Sequence, residues 1–166
     1  MKKIKISGLN VTIPHKIEMM KYLDNVDENC KKIGAVNTVL NDDGILRGFN
    51  TDMDGFLDPL KRKGITIKNS KILLLGAGGA SRAIVAGFQK ENAREITIVN
   101  RTKINGDELA HFSKKLGLNA TSQTIEDMNS FDSNFDFIVN ASSLGLKNEN
   151  NIIPEKLFDE KTTVYD

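Results

Sequence analysis

From Gly64 onward the sequence alternates short β-prone runs with helical stretches, and few folds accept that rhythm. Residues 72–75 and 137–139 are apolar throughout, residues 96–99 nearly so, and the chain ends near a further β-prone run at 163–165. Strands with no polar face are covered on both sides, and strand–helix repetition of this kind builds a parallel sheet. The intervening stretches fit helices. Ala80, Ala83, Ile84, Gly87 and Phe88 share one face of the first, and Leu109, Phe112 and Leu116 mark the second. A weaker strand at 119–121 leads to a short helix capped by Thr124, and Pro154 stands in the first turn of another short helix. The expected fold class is α/β, with a doubly wound parallel sheet over residues 65–166.

The first part of the chain keeps a different rhythm. A strand is expected at residues 10–13, stopped by Pro14, then a helical run over 15–24 with Ile17, Met20 and Leu23 on one side. A short helix at 27–33 precedes two β-rich runs, 35–40 and 45–49, which flank the hairpin signal Asp43-Gly44. Thr51 with Asp54 has the spacing of a capping box, and Met53, Phe56, Leu57 and Leu60 make a helical stripe behind it. Lys61, Arg62 and Lys63 suit the end of that helix, and Gly64 stops it. A domain boundary is expected near residues 62–70, dividing the chain into 1–64 and 65–166.

Composition narrows the function. With 39% hydrophobic and 27% charged residues in 166, the chain is an ordinary soluble globular mixture, enough for one domain or two small ones. A formal net charge of +1 argues against a general attraction to nucleic acid or anionic membrane, and no apolar run is long enough to span a bilayer. Cys30 is the only cysteine, so an internal disulfide and a thiolate metal cluster are both excluded, and a reducing cytoplasm is the expected compartment. A buried thiol without a redox role is expected there. The sequence is strand-like almost from its start and closes on another strand, so a piece of something longer, incomplete at both ends, is expected.

The stretch LLLGAGGASRA carries the clearest chemistry. A strand runs into Gly76-x-Gly78 and a helix begins at once. Gly76 permits a tight turn, Gly78 lets a pyrophosphate approach the backbone, and the helix start offers N–H groups to it. Ser81 stands where the fingerprint has its third glycine. A site for NAD would offer an acid at the end of the second strand, whereas this strand ends in Asn100, Arg101 and Thr102. A planar cation suits a phosphate dianion, with Lys103 adding to the field, so NADP is favoured over NAD. The strand ending in Asn140 continues through Ser142 and Gly145, either lining a nicotinamide crevice or forming an ordinary Gly/Ser turn.

Three polar residues stand beside apolar strand sequence in the first part: Lys16 after NVTIP, Asn37 in GAVNTV and Asp52 in GFNTD. They could converge on one cleft. Each also suits a bland place, as a surface lysine, a turn former and an acid at a helix start.

In this order, GLNVTIPHK, GAVNTV, GFNTDMDGF, GAGGASRA, NRT and NASSLGL resemble the motifs of shikimate dehydrogenases, over essentially the whole chain. The resemblance implies a partial αβ substrate domain at 1–64, followed by a Rossmann-type NADP-binding domain at 65–166. It implies reversible reduction of 3-dehydroshikimate to shikimate with NADPH, on the route to aromatic amino acids. By the same resemblance Lys16 and Asp52 are the catalytic pair, and Asn10, Thr12, Asn37 and Asp52 hold the ring hydroxyls and carboxylate of the substrate. Ala77, Gly78, Gly79 and Ala80 match the pyrophosphate loop, and Asn100, Arg101 and Thr102 the adenosine phosphate site. The residue types agree with the chemistry: a lysine ammonium can stabilise and protonate the oxygen that a hydride leaves behind. Asp52, an anion beside it, is expected to orient substrate and lysine.

Two departures from the family stand out. Asn105 occupies a position where the family usually carries a basic residue, and the family's chains extend further at both ends, with more substrate contacts there. A quinate/shikimate dehydrogenase using NAD, and a catalytically silent nucleotide-binding fragment, are the alternatives. A homodimer, no metal, and no nucleic-acid or membrane partner complete the expectations.

Overall fold

In the computed structural model residues 6–131, 135–142 and 153–166 are described. The chain divides into two compact units, one of Met1–Thr66 with Arg82–Gly87, the other of Ile67–Ser81 with Phe88–Asp166.

A hairpin organises the first unit. Its four strands are β1 (Gly8–Asn10), β2 (Asn25–Val26), β3 (Thr38–Asp42) and β4 (Ile45–Phe49), in the order β1-β3-β4-β2. β3 pairs antiparallel with both β1 and β4, while β2 runs parallel to β4. Asp43 at φ 48° and Gly44 at φ 89° make the turn, with both central residues in the left-handed region that matches the twist of a hairpin. Helix α1 (Glu28–Ile33) starts where the Asp27 side chain accepts from the Cys30 amide at 2.7 Å, and ends at Gly34 in the left-handed conformation. Helix α2 (Asp52–Arg62) buries Met53, Phe56, Leu57 and Leu60, the stripe expected of it. Val11, Cys30, Val36, Val39 and Leu46 form a core cluster on which Met19, Met20 and Leu23 pack.

Three expectations for this unit are corrected. The first strand ends at Asn10 rather than residue 13: Val11 is buried, but Ile13 is 75% exposed as the chain turns at Pro14. The helical run over 15–24 is only a 3₁₀ turn, Glu18–Tyr22. Of the three apolar residues on the expected face only Met20 lies within it: Ile17 precedes it and is exposed, and Leu23 follows it in extended backbone. Thr51 makes no side-chain bond to the start of α2; its hydroxyl accepts a hydrogen bond from Asn37 Nδ2 at 2.9 Å.

The second unit is the parallel sheet. Strands β5 (Lys71–Leu75), β6 (Glu95–Val99), β7 (Asn119–Gln123), β8 (Phe137–Asn140) and β9 (Thr163–Tyr165) lie in the order β7-β6-β5-β8-β9, all neighbours parallel. Helix α3 (Gly79–Lys90) links β5 to β6, and α4 (Lys103–Lys115) links β6 to β7. Ile72, Leu73 and Leu74 are fully buried, as strands covered on both faces require. Phe88 of α3 meets Phe137 of β8 edge to face, ring centroids 5.8 Å apart. The doubly wound α/β fold is thus the one expected. The short helix after β7 is a 3₁₀ turn, Glu126–Ser130, and Thr124 does not accept at its start. Its amide and hydroxyl both donate to Asp127 Oδ2, at 2.8 and 2.9 Å. Those bonds hold the Asp127 carboxyl below its ordinary value.

Among the described residues no helix is long and apolar enough to cross a membrane, and no group of three or more His, Cys, Asp or Glu could hold a metal.

Cys30 is fully buried, and burial first, then its contact with Asp27, pushes the thiol from 9.0 up to about 12. The folded chain therefore keeps a proton that the unfolded chain loses, so this group's contribution to stability falls as pH rises from about 9 toward 12. Urea unfolding at pH 8 and pH 10 should show a decline roughly 1 kcal/mol steeper in the parent than in Cys30→Ala.

Candidate functional site

The chain brings Lys16 into the first unit by folding back after β1. The Val11 amide donates to the Asn37 carbonyl at 2.7 Å, and the His15 amide to the Thr12 carbonyl at 2.9 Å, closing a turn around Pro14. The Lys16 carbonyl then accepts from the Val36 amide at 2.9 Å. Its ammonium donates to Asp52 Oδ2 at 2.6 Å, with the two side chains only 13% and 25% exposed.

Asp52 is placed with equal care. It is the first residue of α2, and Asn50, 1% exposed, holds it there. Asn50 Oδ1 accepts from the Asp52 amide at 2.9 Å, while Asn50 Nδ2 donates to the Ala35 carbonyl at 2.9 Å. Asn37 Nδ2 donates to Asp52 Oδ1 at 2.8 Å, and Asn37 Oδ1 accepts from the Thr51 amide at 3.2 Å and the Thr38 hydroxyl at 2.9 Å. Each carboxylate oxygen of Asp52 thus has a donor, ammonium on one side and carboxamide on the other, and bonds of this charge-assisted kind are the strong ones. An ammonium carries three N–H groups, and Asp52 engages one of them. The cluster can therefore hold and protonate an oxygen brought to Lys16. Asn10 is exposed at the end of β1, opposite Thr38, and Thr12 is exposed two residues on. The first unit accordingly contains Asn10, Thr12, Lys16, Asn37 and Asp52.

The remaining predicted residues belong to the second unit. Gly76 follows β5 with φ 100°, its amide donating to the Val99 carbonyl at 2.8 Å. A Cβ at Gly76 would lie 2.8 Å from the Ala141 carbonyl oxygen, so any side chain there is excluded by backbone. A Cβ at Gly78 would meet nothing within 4 Å, and that residue is exposed. Ala77, Gly79 and Ala80 are half-buried around it. Ser81 is fully buried, and its Oγ accepts from the Gly78 amide at 3.2 Å, steadying the turn.

A pocket of about 180 Å³ opens beside this turn, lined among others by Gly76, Asn100, Arg101, Thr102, Asn105 and Ser142. Asn100 Nδ2 donates to the Thr102 carbonyl at 2.8 Å, while Arg101 is exposed at the pocket wall. Thr102 precedes α4 without using its hydroxyl to cap it. Lys103 is paired with Asp107 one turn on, which holds the Asp107 carboxyl low. Asn140 Oδ1 accepts from the amide and hydroxyl of Ser142, at 3.1 and 2.6 Å, and Asn140 Nδ2 donates to Asp166 at 2.7 Å. Gly145 lies outside the described residues. A glycine turn with open space at Gly78 and a guanidinium at the wall fits a phosphate-bearing dinucleotide.

The sheet order and the glycine turn at its central strand place the chain in the doubly wound α/β class whose ligands lie beyond the carboxyl ends of the strands. The model of the shikimate / quinate 5-dehydrogenase family matches residues 59–161, and that of the shikimate dehydrogenase substrate binding domain residues 1–39. The chain belongs to the shikimate / quinate 5-dehydrogenase family. A shikimate dehydrogenase (NADP(+)) of Nitrosopumilus maritimus is 58% identical over 166 residues, 100% of this chain and 61% of that protein. The shikimate 5-dehydrogenase of Thermus thermophilus, solved with NADP(H) and shikimate, is 37% identical with a TM-score of 0.77, over 96% of this chain and 57% of that one. That of Listeria monocytogenes, solved with shikimate and NAD, is 31% identical with a TM-score of 0.82, over 98% and 60%. The chain spans about 60% of the length of these relatives.

Sequence reasoning missed Asn50 and the acceptor role of Ser81. A polar residue between a strand and a helix start was the available signal for Asn50, but nothing local shows that it is buried. Asn50→Ala should leave the Ala35 carbonyl and Asp52 amide without these partners and lower stability by about 1–3 kcal/mol in urea unfolding.

Proposed function

We propose that the chain is the catalytic portion of an NADP-dependent shikimate dehydrogenase, interconverting 3-dehydroshikimate and shikimate in aromatic amino acid synthesis. The observation that carries this reading is the Lys16 ammonium held 2.6 Å from an Asp52 carboxylate whose other oxygen is bound by Asn37. The names and bound molecules of the relatives support it.

In this reading residues 1–64 hold the substrate and residues 65–166 the cofactor. Asn10, Thr12, Asn37 and Asp52 orient the hydroxyls and carboxylate of the ring. Lys16 donates a proton to the carbonyl oxygen during reduction and accepts it back during oxidation. Asp52 keeps the amine aimed, and its other oxygen fixes Asn37. Gly76 to Ala80 receive the pyrophosphate, Arg101 with Asn100 and Thr102 takes the adenosine phosphate, and Asn140, Ser142 and Gly145 border the nicotinamide. The bound cofactor supplies the hydride.

Shikimate with NADP should give reduced nicotinamide, followed by its absorbance, and faster than with NAD; NADP binding without shikimate-dependent reduction overturns the reading. Lys16→Ala should lower kcat by about a hundredfold or more while leaving the Kd for NADP unchanged, since general acid–base groups are worth that much. Equal losses in both would make Lys16 structural. Arg101→Ala should weaken NADP about tenfold and NAD far less, measured by calorimetric titration, because only NADP offers the dianion to the guanidinium.

A further inference from the structure

The last carbonyls of a helix have no internal partner. In α1 the Ile33 carbonyl finds one in Arg82, whose Nε donates to it at 2.8 Å. Gly34 follows at φ 68°, and a Cβ there would come within 3.0 Å of Arg82 Nη2, so the guanidinium lies against this turn. The residues immediately after it restrain the cluster. The Ala35 carbonyl anchors Asn50, which holds the Asp52 amide. The Val36 amide binds the Lys16 carbonyl, and Asn37 binds Asp52 Oδ1. Residues 33–37 therefore carry the backing of both catalytic side chains, and Arg82 grips the head of that segment.

We propose that Arg82 is a positioning residue for Lys16, Asp52 and Asn37, acting through residues 33–37 and thereby setting affinity for shikimate. The identity of the ligand rests on the proposed function; the brace does not. A bond to a charged donor is stronger than a neutral one, and the planar fork of arginine loses little freedom in making it. The side chain is half-buried, so solvent does not replace it freely. Arg82 is the fourth residue of α3, the helix that opens on the glycine turn, and its Nε donates to the Ile33 carbonyl.

Arg82→Met keeps the aliphatic stem and removes the donor, while Arg82→Lys retains one. In Arg82→Met the Val36 amide should exchange with deuterated solvent about tenfold faster, with β5 and β6 amides unchanged, since local opening is read amide by amide. Arg82→Lys should restore much of the protection. Calorimetry without nucleotide should show shikimate weakened about tenfold in Arg82→Met, recovered in part by Arg82→Lys, with NADP affinity unaltered. Unchanged Val36 exchange in Arg82→Met overturns the proposal, as does unchanged shikimate affinity. If the parent chain does not bind shikimate, the functional reading fails instead, and Val36 protection alone decides whether Arg82 braces Lys16. A merely structural arginine would lower the unfolding midpoint without this local pattern.

Discussion

A carboxylate withdrawn from water must find a donor for each oxygen, and around Asp52 that demand organises the first unit. The ammonium of Lys16 comes from the turn after β1, the carboxamide of Asn37 from the entrance to β3, and the amide of Asp52 itself is held by Asn50 beyond β4. These donors meet only if β1 and β4 flank β3, which is the order the sheet adopts. Removing the Lys16 or the Asn37 donor leaves a partly buried charge with an empty lone pair, which costs more than the bond itself is worth.

The second unit depends on a different constraint, the closeness of backbone to backbone at Gly76. With the Ala141 carbonyl oxygen 2.8 Å from where a Cβ would sit, the turn after β5 passes directly against the chain leaving β8. This packing sits at the carboxyl ends of the sheet's central strands, where doubly wound folds take their ligands. Ser81 serves two purposes there. It is small enough to be fully buried at the helix start, and its hydroxyl satisfies the Gly78 amide. The third glycine of the usual fingerprint is thus replaced by a residue that keeps the close packing and adds a bond.

Much of this was legible because it is local. The Asp43-Gly44 turn, the α2 stripe of Met53, Phe56, Leu57 and Leu60, and the apolar strands all follow from periodicities of two and 3.6 with punctuation by glycine. The failures have one cause as well. Thr51 carries the sequence of a capping box, but its hydroxyl bonds a carboxamide fourteen residues earlier and does not cap the helix. Met20 and Leu23 were rightly apolar and pack on the core of the first unit, yet Leu23 does so from extended backbone after the 3₁₀ turn ends. Arg82 reads as part of a glycine-loop motif, while its bond is to a carbonyl 49 residues away.

The sequence by itself determined the fold class, the two rhythms of the chain and the residue types available for proton transfer and phosphate recognition, because short-range pattern and side-chain chemistry need no partner to be recognised. Only the tertiary structure decided that Lys16, Asn37 and Asp52 share one hydrogen-bonded cluster, that Asn50 is buried beneath it, and that Arg82 holds the segment behind it. Those are contacts between residues far apart in the chain, and their existence depends on strand order and on which donors reach an acceptor first.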